Sequence, residues 1–235
     1  KGAGLHRMRA LGLPVPPGFT LTTVACQHHR EHGWDAELDA ALRHHLARLE
    51  ATTGRRLGDA RRPLLVSVRS GAAVSMPGML DTVLDVGMTD AVAAGLAAEP
   101  GQAAFARDTA ARARRSWDAV VRTIRPGDPA AQVAAAARAV FDSWGGDRAQ
   151  HYRRVEGIDA SLGTAVTVQA MVFGNRDRRS GTGVALSRDP TTGATGPVGD
   201  FLPAAQGEDV VDGARETRPL DVLAEHWPDV WAELV

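Results

Sequence analysis

The chain opens on Lys1-Gly-Ala-Gly4 and runs directly into a helical pattern. A glycine-rich turn at a helix N-terminus leaves amide N–H groups unpaired beside the positive end of the helix dipole, which suits a phosphate. The lysine adds a mobile point charge. The spacing is not that of a P-loop, whose Gly-Lys-Ser/Thr ending is absent, and a plain terminal loop would use the same residues. A second candidate is Arg69, where the apolar run Leu64–Val68 ends in Arg69-Ser70-Gly71. Charged groups at strand ends sit at the rim of a sheet, where ligand clefts form, and the planar guanidinium can give a phosphate two parallel hydrogen bonds. An arginine that merely closes a sheet edge reads the same way. The loop Ser75-Met-Pro-Gly-Met-Leu-Asp-Thr82 is a third candidate. Gly78 would let backbone approach a ligand closely, and Thr82 offers a hydroxyl. The stretch looks too polar for core, so its two methionines are expected at the surface. Arg112, with Arg114 and Arg115 near it on an expected helix, reads from pattern alone as part of a solvated face.

Eight histidines are present. His28 and His32 have the i, i+4 spacing of two metal ligands on one helical turn, and His44-His45 lie nearby. No cysteine or acid is spaced to complete a set, so solvated helical faces are expected. No Ser-His-Asp signature is found, and the five Trp and five Phe are scattered as core residues are.

The 235 residues, 44% hydrophobic and 23% charged, can bury a real core and exclude collagen-like, disulfide-scaffold and wholly disordered classes. A net charge of −1 gives no bulk attraction to nucleic acid or to an anionic membrane, and neither partner is expected. No run approaches the ~20 apolar residues of a membrane span. The single cysteine, Cys26, allows no internal disulfide and points to a reducing cytoplasm. Of the 27 Lys and Arg residues one is a lysine, Lys1, so 26 are arginines. A GC-rich genome writes such a bias by default, which makes the surviving lysine a position to watch. Both ends read as cut edges of a longer protein.

These side chains need elements to position them. Leu5, Met8 and Leu11 share a helical face closed by Gly12, and Pro14, Pro16 and Pro17 impose an extended connector. Residues 19–23 alternate as a strand. Leu38, Leu42, Leu46 and Leu49 mark an amphipathic helix over 35–50. Residues 64–68 form a short strand, and two helices are expected over 103–124 and 129–143, separated by Arg125-Pro-Gly-Asp-Pro129. Strands are expected at 164–173, 182–187 and near 198–202, with a helix from Asp221 to the end. The fold class is α+β with a helical middle.

Taken in order, KGAGL at 1–5, GLPVPPGFTLTT at 12–23, LLVSVRSGAAVSMPGMLDTVLDVG at 64–87, GTAVTVQAMVFGN at 163–175, SGTGVALSRDPTTG at 180–193 and AQGEDVVDG at 205–213 resemble the N-terminal nucleotide-binding region of pyruvate, phosphate dikinases. The resemblance covers most of the chain outside the helical middle. It implies an ATP-grasp-like fold of two α+β subdomains that clamp ATP: residues 1–102, a helical segment 103–160, and a truncated second subdomain 161–235. It makes Lys1 and Arg69 phosphate-binding and catalytic, Arg112 a third phosphate contact, and Gly78 to Thr82 the loop over the phosphates. Gln169, Met171 and Val172 fall on the strand whose backbone would read the adenine edge.

The family reaction converts ATP, phosphate and pyruvate to AMP, diphosphate and phosphoenolpyruvate through a phosphohistidine on a separate domain. The resemblance therefore implies ATP and phosphate as ligands, the rest of the polypeptide as partner, and Mg²⁺ held by acidic ligands beyond residue 235. A homodimer is compatible with it, and this chain alone would be incomplete and inactive. Ala73 and Asp200 stand where the family pattern has Arg and Glu. Two other readings share the motifs: a non-catalytic nucleotide-binding or interaction module, and the ATP-grasp part of a phosphoenolpyruvate synthase-like phosphotransferase.

Overall fold

The computed structural model describes residues 1–211, 213 and 215–235. The chain is α+β and divides into two compact units, Lys1–Met171 and Val172–Val235.

The first unit is built on a four-stranded sheet of order β1-β4-β2-β3, formed by β1 (Gly18–Leu21), β2 (Val66–Gly71), β3 (Thr82–Val86) and β4 (Ala165–Ala170). All neighbouring strands in it run antiparallel. Alternation explains its two faces. Val66 and Val68 on β2, Val83 on β3, and Val166 and Val168 on β4 enter one core. That core is closed by α3 (Ala36–Thr53), through Leu42, Leu46 and Leu49, and by α6 (Pro129–Asp142), through Val133, Ala137, Val140 and Phe141.

The helices begin where their caps dictate. Asp35 accepts the Leu38 N–H at 2.9 Å to start α3, and Asp128 with Pro129 starts α6. The unit also holds α1 (Gly2–Ala10), α2 (Thr23–His32), α4 (Asp90–Ala98), α5 (Ala103–Val120) and α7 (Asp147–Glu156). A short 3₁₀ turn, Ser143–Gly145, joins α6 to α7.

Several expectations change. The helix expected over 103–124 stops at Val120, where Arg122 takes φ +58° and its amide turns back to the Trp117 carbonyl. The texture of the sequence divides at 102/103 and 160/161, whereas the folded chain divides at 171/172. Helices α5 and α6 pack on β2 and β3, and β4 inserts between β1 and β2, so all three belong to the first unit.

The second unit carries a three-stranded antiparallel sheet, β5 (Gly181–Arg188), β6 (Thr195–Pro203) and β7 (Arg218–Pro219), with α8 (Gly207–Val211), α9 (Val222–His226) and α10 (Pro228–Leu234). The single terminal helix expected from Asp221 is two helices. Pro228 cannot continue α9, and Trp227 before it is extended, with φ −143° and ψ 67°.

Candidate functional site

The face of the first sheet opposite the core is polar. Register places Thr20, Thr167, Arg69 and Thr82 side by side across β1, β4, β2 and β3. Directly opposed residues project to the same side, so these four form one rung with Arg69 inside it. The hydroxyls of Thr20 and Thr167 lie 3.2 Å apart and share a hydrogen bond. The adjoining rung holds Gly18, Gln169 and Ser67.

Helix α1 brings Lys1 to this face. Its glycines are there for contact as much as for conformation. A Cβ on Gly2 would come within 2.7 Å of Thr20 Oγ1, and one on Gly71 within 3.1 Å of Lys1 Cβ. Lys1 Nζ donates to the Ser70 carbonyl at 2.6 Å, directly beside Arg69. Burial, and then the charge of Arg69, lowers the Lys1 ammonium below the ordinary lysine range. Neither cation has a carboxylate partner among the described residues. No side chain caps α1. Two neighbouring cations and an uncapped helix N-terminus are unfavourable company for each other and favourable company for an anion. A cavity of about 250 Å³ opens beside them, lined by Gly2, His6, Arg9, Thr20, Thr167 and Gln169 among others.

Gly78 lies in the loop between β2 and β3. The Met79 amide bonds the Met76 carbonyl at 3.2 Å, and Gly78 has φ +69° after Pro77. Proline followed by a positive-φ glycine is the signature of a type II turn. The surface position expected of both methionines does not hold. Met76 is 8% exposed and packs with Trp144 and Ala149, and Met79 is half-buried against the same group. The apolar partners lie some seventy residues further along the chain, outside any local pattern.

Arg112 also departs from the solvated face. Its side chain is 11% exposed on α5, with Nε bonded to Asp108 Oδ2 at 2.9 Å. One turn further, Ser116 Oγ accepts the Leu84 amide of β3 at 2.8 Å, which ties that helix to the sheet. Gln169 is buried and its Nε2 donates to the Pro16 carbonyl, so this side chain braces the proline connector. Met171 donates its amide to the Leu65 carbonyl at 2.9 Å, which leaves its carbonyl for any further contact. Val172 is 69% exposed and begins the second unit. The fold thus brings Lys1, Arg69 and Thr82 together, with Gln169 one rung away. Thr20 and Thr167 were missed, although the alternation Val166-Thr167-Val168-Gln169 already placed Thr167 opposite the core.

Residues 34–227 match the family model of the pyruvate phosphate dikinase AMP/ATP-binding domain. The chain belongs to the pyruvate, phosphate dikinase family. It is 42% identical to pyruvate, phosphate dikinase 2 of Zea mays, 40% to the chloroplastic enzyme of Mesembryanthemum crystallinum and 36% to the enzyme of Clostridium symbiosum. Each match includes the whole of this chain and 32%, 30% and 33% of the relative, respectively, so the chain spans about a third of their length. The match to the maize protein extends over 289 positions against 235 residues here, so the relative carries additional segments within the matched region.

In this member of the dikinase family the geometry fits the phosphate end of a nucleotide: two unpaired cations, a helix N-terminus and a threonine hydroxyl on one sheet face. Among the described residues no group of three His, Cys, Asp or Glu side chains converges. His28 Nε2 pairs with Asp35 Oδ2 at 2.5 Å, which raises the His28 pKa. His29 is not on a solvated face. Its side chain is 10% exposed, bonds Asp142 at 3.0 Å and packs on Trp34 and Phe141.

Proposed function

We propose that this chain is the nucleotide-binding part of a pyruvate, phosphate dikinase that converts ATP, inorganic phosphate and pyruvate to AMP, diphosphate and phosphoenolpyruvate through a phosphohistidine on a separate domain. The observation that carries the reading is the juxtaposition of Lys1 and Arg69, without carboxylates, at the N-terminus of α1. In this reading Arg69 grips phosphate oxygens with its planar fork, and Lys1 adds a compact charge from the helix end. The N–H groups of the first turn of α1 and the Thr82 hydroxyl donate further hydrogen bonds. Held in place before the reaction, these groups disperse the charge that develops as a phosphoryl group leaves.

Arg112 supplies a third positive charge, and Gly78 lets the loop backbone close over the phosphates. The Met171 carbonyl and the Val172 backbone read the adenine edge, and Gln169 holds the connector beneath them. Mg²⁺ would accompany the nucleotide and offset its phosphate charge, and none of the roles above depends on a protein ligand to it. The protein is cytoplasmic.

The test is phosphoenolpyruvate formation from ATP, phosphate and pyruvate by the complete polypeptide carrying this chain. Arg69→Ala is expected to lower turnover roughly 10²–10³-fold, the scale seen when one preorganised charge-stabilising donor is removed. Its melting temperature should stay near that of the wild type. A wild-type protein without this activity, or an Arg69→Ala variant with unchanged kinetics, overturns the proposal.

A further inference from the structure

The loop that carries Gly78 is fastened to one short stretch of the helical middle. Met76 packs into a small cluster with Trp144 of the 3₁₀ turn and Ala149 of α7, joined by Ala72, Met79, Leu80, Tyr152 and Ile158. Asp81, at the far end of the loop, donates one bond to the same stretch and accepts another from it. Its amide donates to Ser143 Oγ at 3.3 Å, and Arg148 donates to its Oδ1 at 3.2 Å. Ser143 Oγ is itself fixed to the Val140 carbonyl at 2.7 Å.

Trp144 is held with unusual care. Its Nε1 donates to the Ala160 carbonyl at 3.0 Å. Arg153 lies with its guanidinium carbon 4.2 Å from the Trp144 ring centroid and donates to the Trp144 carbonyl at 2.5 Å. Arg153 is 7% exposed, its Nε has no hydrogen-bond partner and, among the described residues, it has no carboxylate partner. A buried arginine without an anion is costly, and contact with an aromatic face offsets that cost only in part. A hydrophobic side chain could fill this space at lower cost. What Arg153 provides is direction, because it clamps both the ring and the backbone of Trp144.

Resting on the dikinase reading, we infer that Trp144 and Arg153 are positioning residues for phosphoryl transfer. They fix Met76, and through it the Pro77-Gly78 turn two residues on, at the phosphate end of the nucleotide. The turn is short, and Gly78 itself has open space where a side chain would sit, so the turn is held through its flanks, by Met76 before it and Met79 and Leu80 after it. Its placement depends on the Met76 anchor on one side and Asp81 on the other. In the dikinase reading the grip on the phosphates in the ground state comes chiefly from Lys1 and Arg69, neither of which belongs to this cluster. Loosening the anchor should therefore lower turnover far more than affinity.

The complete polypeptide provides the test, with Trp144→Leu and Met76→Ala as variants. The second removes the same contact from the loop side and leaves the Trp144–Arg153 contact intact, so it serves if Trp144→Leu does not fold. Turnover should fall roughly tenfold to a hundredfold, as for a catalytic group displaced by about an ångström, with KM for ATP changed by less than roughly threefold. Met76→Leu should restore most of the rate. Hydrogen exchange over 75–80 should quicken in Met76→Ala while β2 stays protected. A Met76→Ala enzyme with wild-type turnover, a change in KM alone, or unchanged exchange over 75–80 overturns the inference. A wild type without dikinase turnover fails the functional reading instead, and exchange over 75–80 then decides whether the anchor exists.

Discussion

At the scale of single residues, Lys1 is the position where sequence and structure speak to the same question. In a chain otherwise written with arginine, one lysine sits at a helix N-terminus, and its ammonium meets the Ser70 carbonyl beside the Arg69 guanidinium. Burial and the neighbouring charge lower the Lys1 pKa, and that makes anion binding pH-dependent in a definite direction. The charged ammonium is the form that attracts phosphate. Its contribution is present while the ammonium is charged and is lost as pH rises through the lowered pKa, so the loss begins below the range of an ordinary lysine near 10.4. Above about pH 7.5 a terminal phosphate, whose last ionisation lies near 6, no longer changes charge. Titration calorimetry with ATP from neutral to alkaline pH should show affinity falling in the wild type and flat in Lys1→Arg, whose guanidinium stays charged. Equal pH dependence in both would remove Lys1 from the site.

At the scale of elements, legibility followed locality. The alternation of Val66, Val68, Val166 and Val168, the leucine stripe of α3 and the Asp128-Pro129 start of α6 could be read because each is decided within one or two turns of chain. Strand β3 could not. It is five residues long, and Asp85 within it takes a positive φ of 54°. Helix α7 was hidden for a different reason: its sequence is polar, and Ala149 and Arg153 are its buried residues. The site was half legible. Residue types nominated Lys1, Arg69 and Thr82, but only the register of β2 with β3 and β4 shows that Arg69 faces both Thr82 and Thr167. The burial of Met76 depended on Trp144, a partner no local pattern can supply.

Helix α4 had no counterpart among the expected elements, and it carries an isolated glycine, Gly95. A Gly→Ala change inside a helix ordinarily stabilises by about 1 kcal/mol. Here a Cβ on Gly95 would run into the Ala60 carbonyl. That carbonyl cannot retreat freely, because Asp59 Oδ1 holds the amides of Arg61 and Arg62 at 2.7 and 3.1 Å. Gly95→Ala should therefore destabilise, by roughly 1–3 kcal/mol as overpacking does, measured by urea unfolding. A gain in stability would show that α4 does not lie against that loop.

At the scale of the whole molecule, the groups proposed to hold phosphate all fall on one side of the division at 171/172. Lys1, α1, Arg69 and Thr82 all belong to the first unit, and so does the core that holds them, from Leu42 and Val66 to Phe141 and Val168. Val172, proposed to read the adenine edge, begins the second. Phosphate recognition should then survive without residues 172–235. A fragment of residues 1–171 is large enough to bury a core of its own, and its sheet is complete, because β4 contributes the strand between β1 and β2. It should unfold cooperatively and bind inorganic tripolyphosphate. The binding should weaken with added salt, since two cations at a partly exposed site are screened within about 10 Å at 0.1 M. Arg69→Ala in the fragment should raise Kd at least about tenfold, or 1.4 kcal/mol. Calorimetry on the fragment and on its Arg69→Ala variant reads these outcomes. A folded fragment with no affinity for tripolyphosphate would mean that the Lys1–Arg69 pair is not the phosphate end of the site.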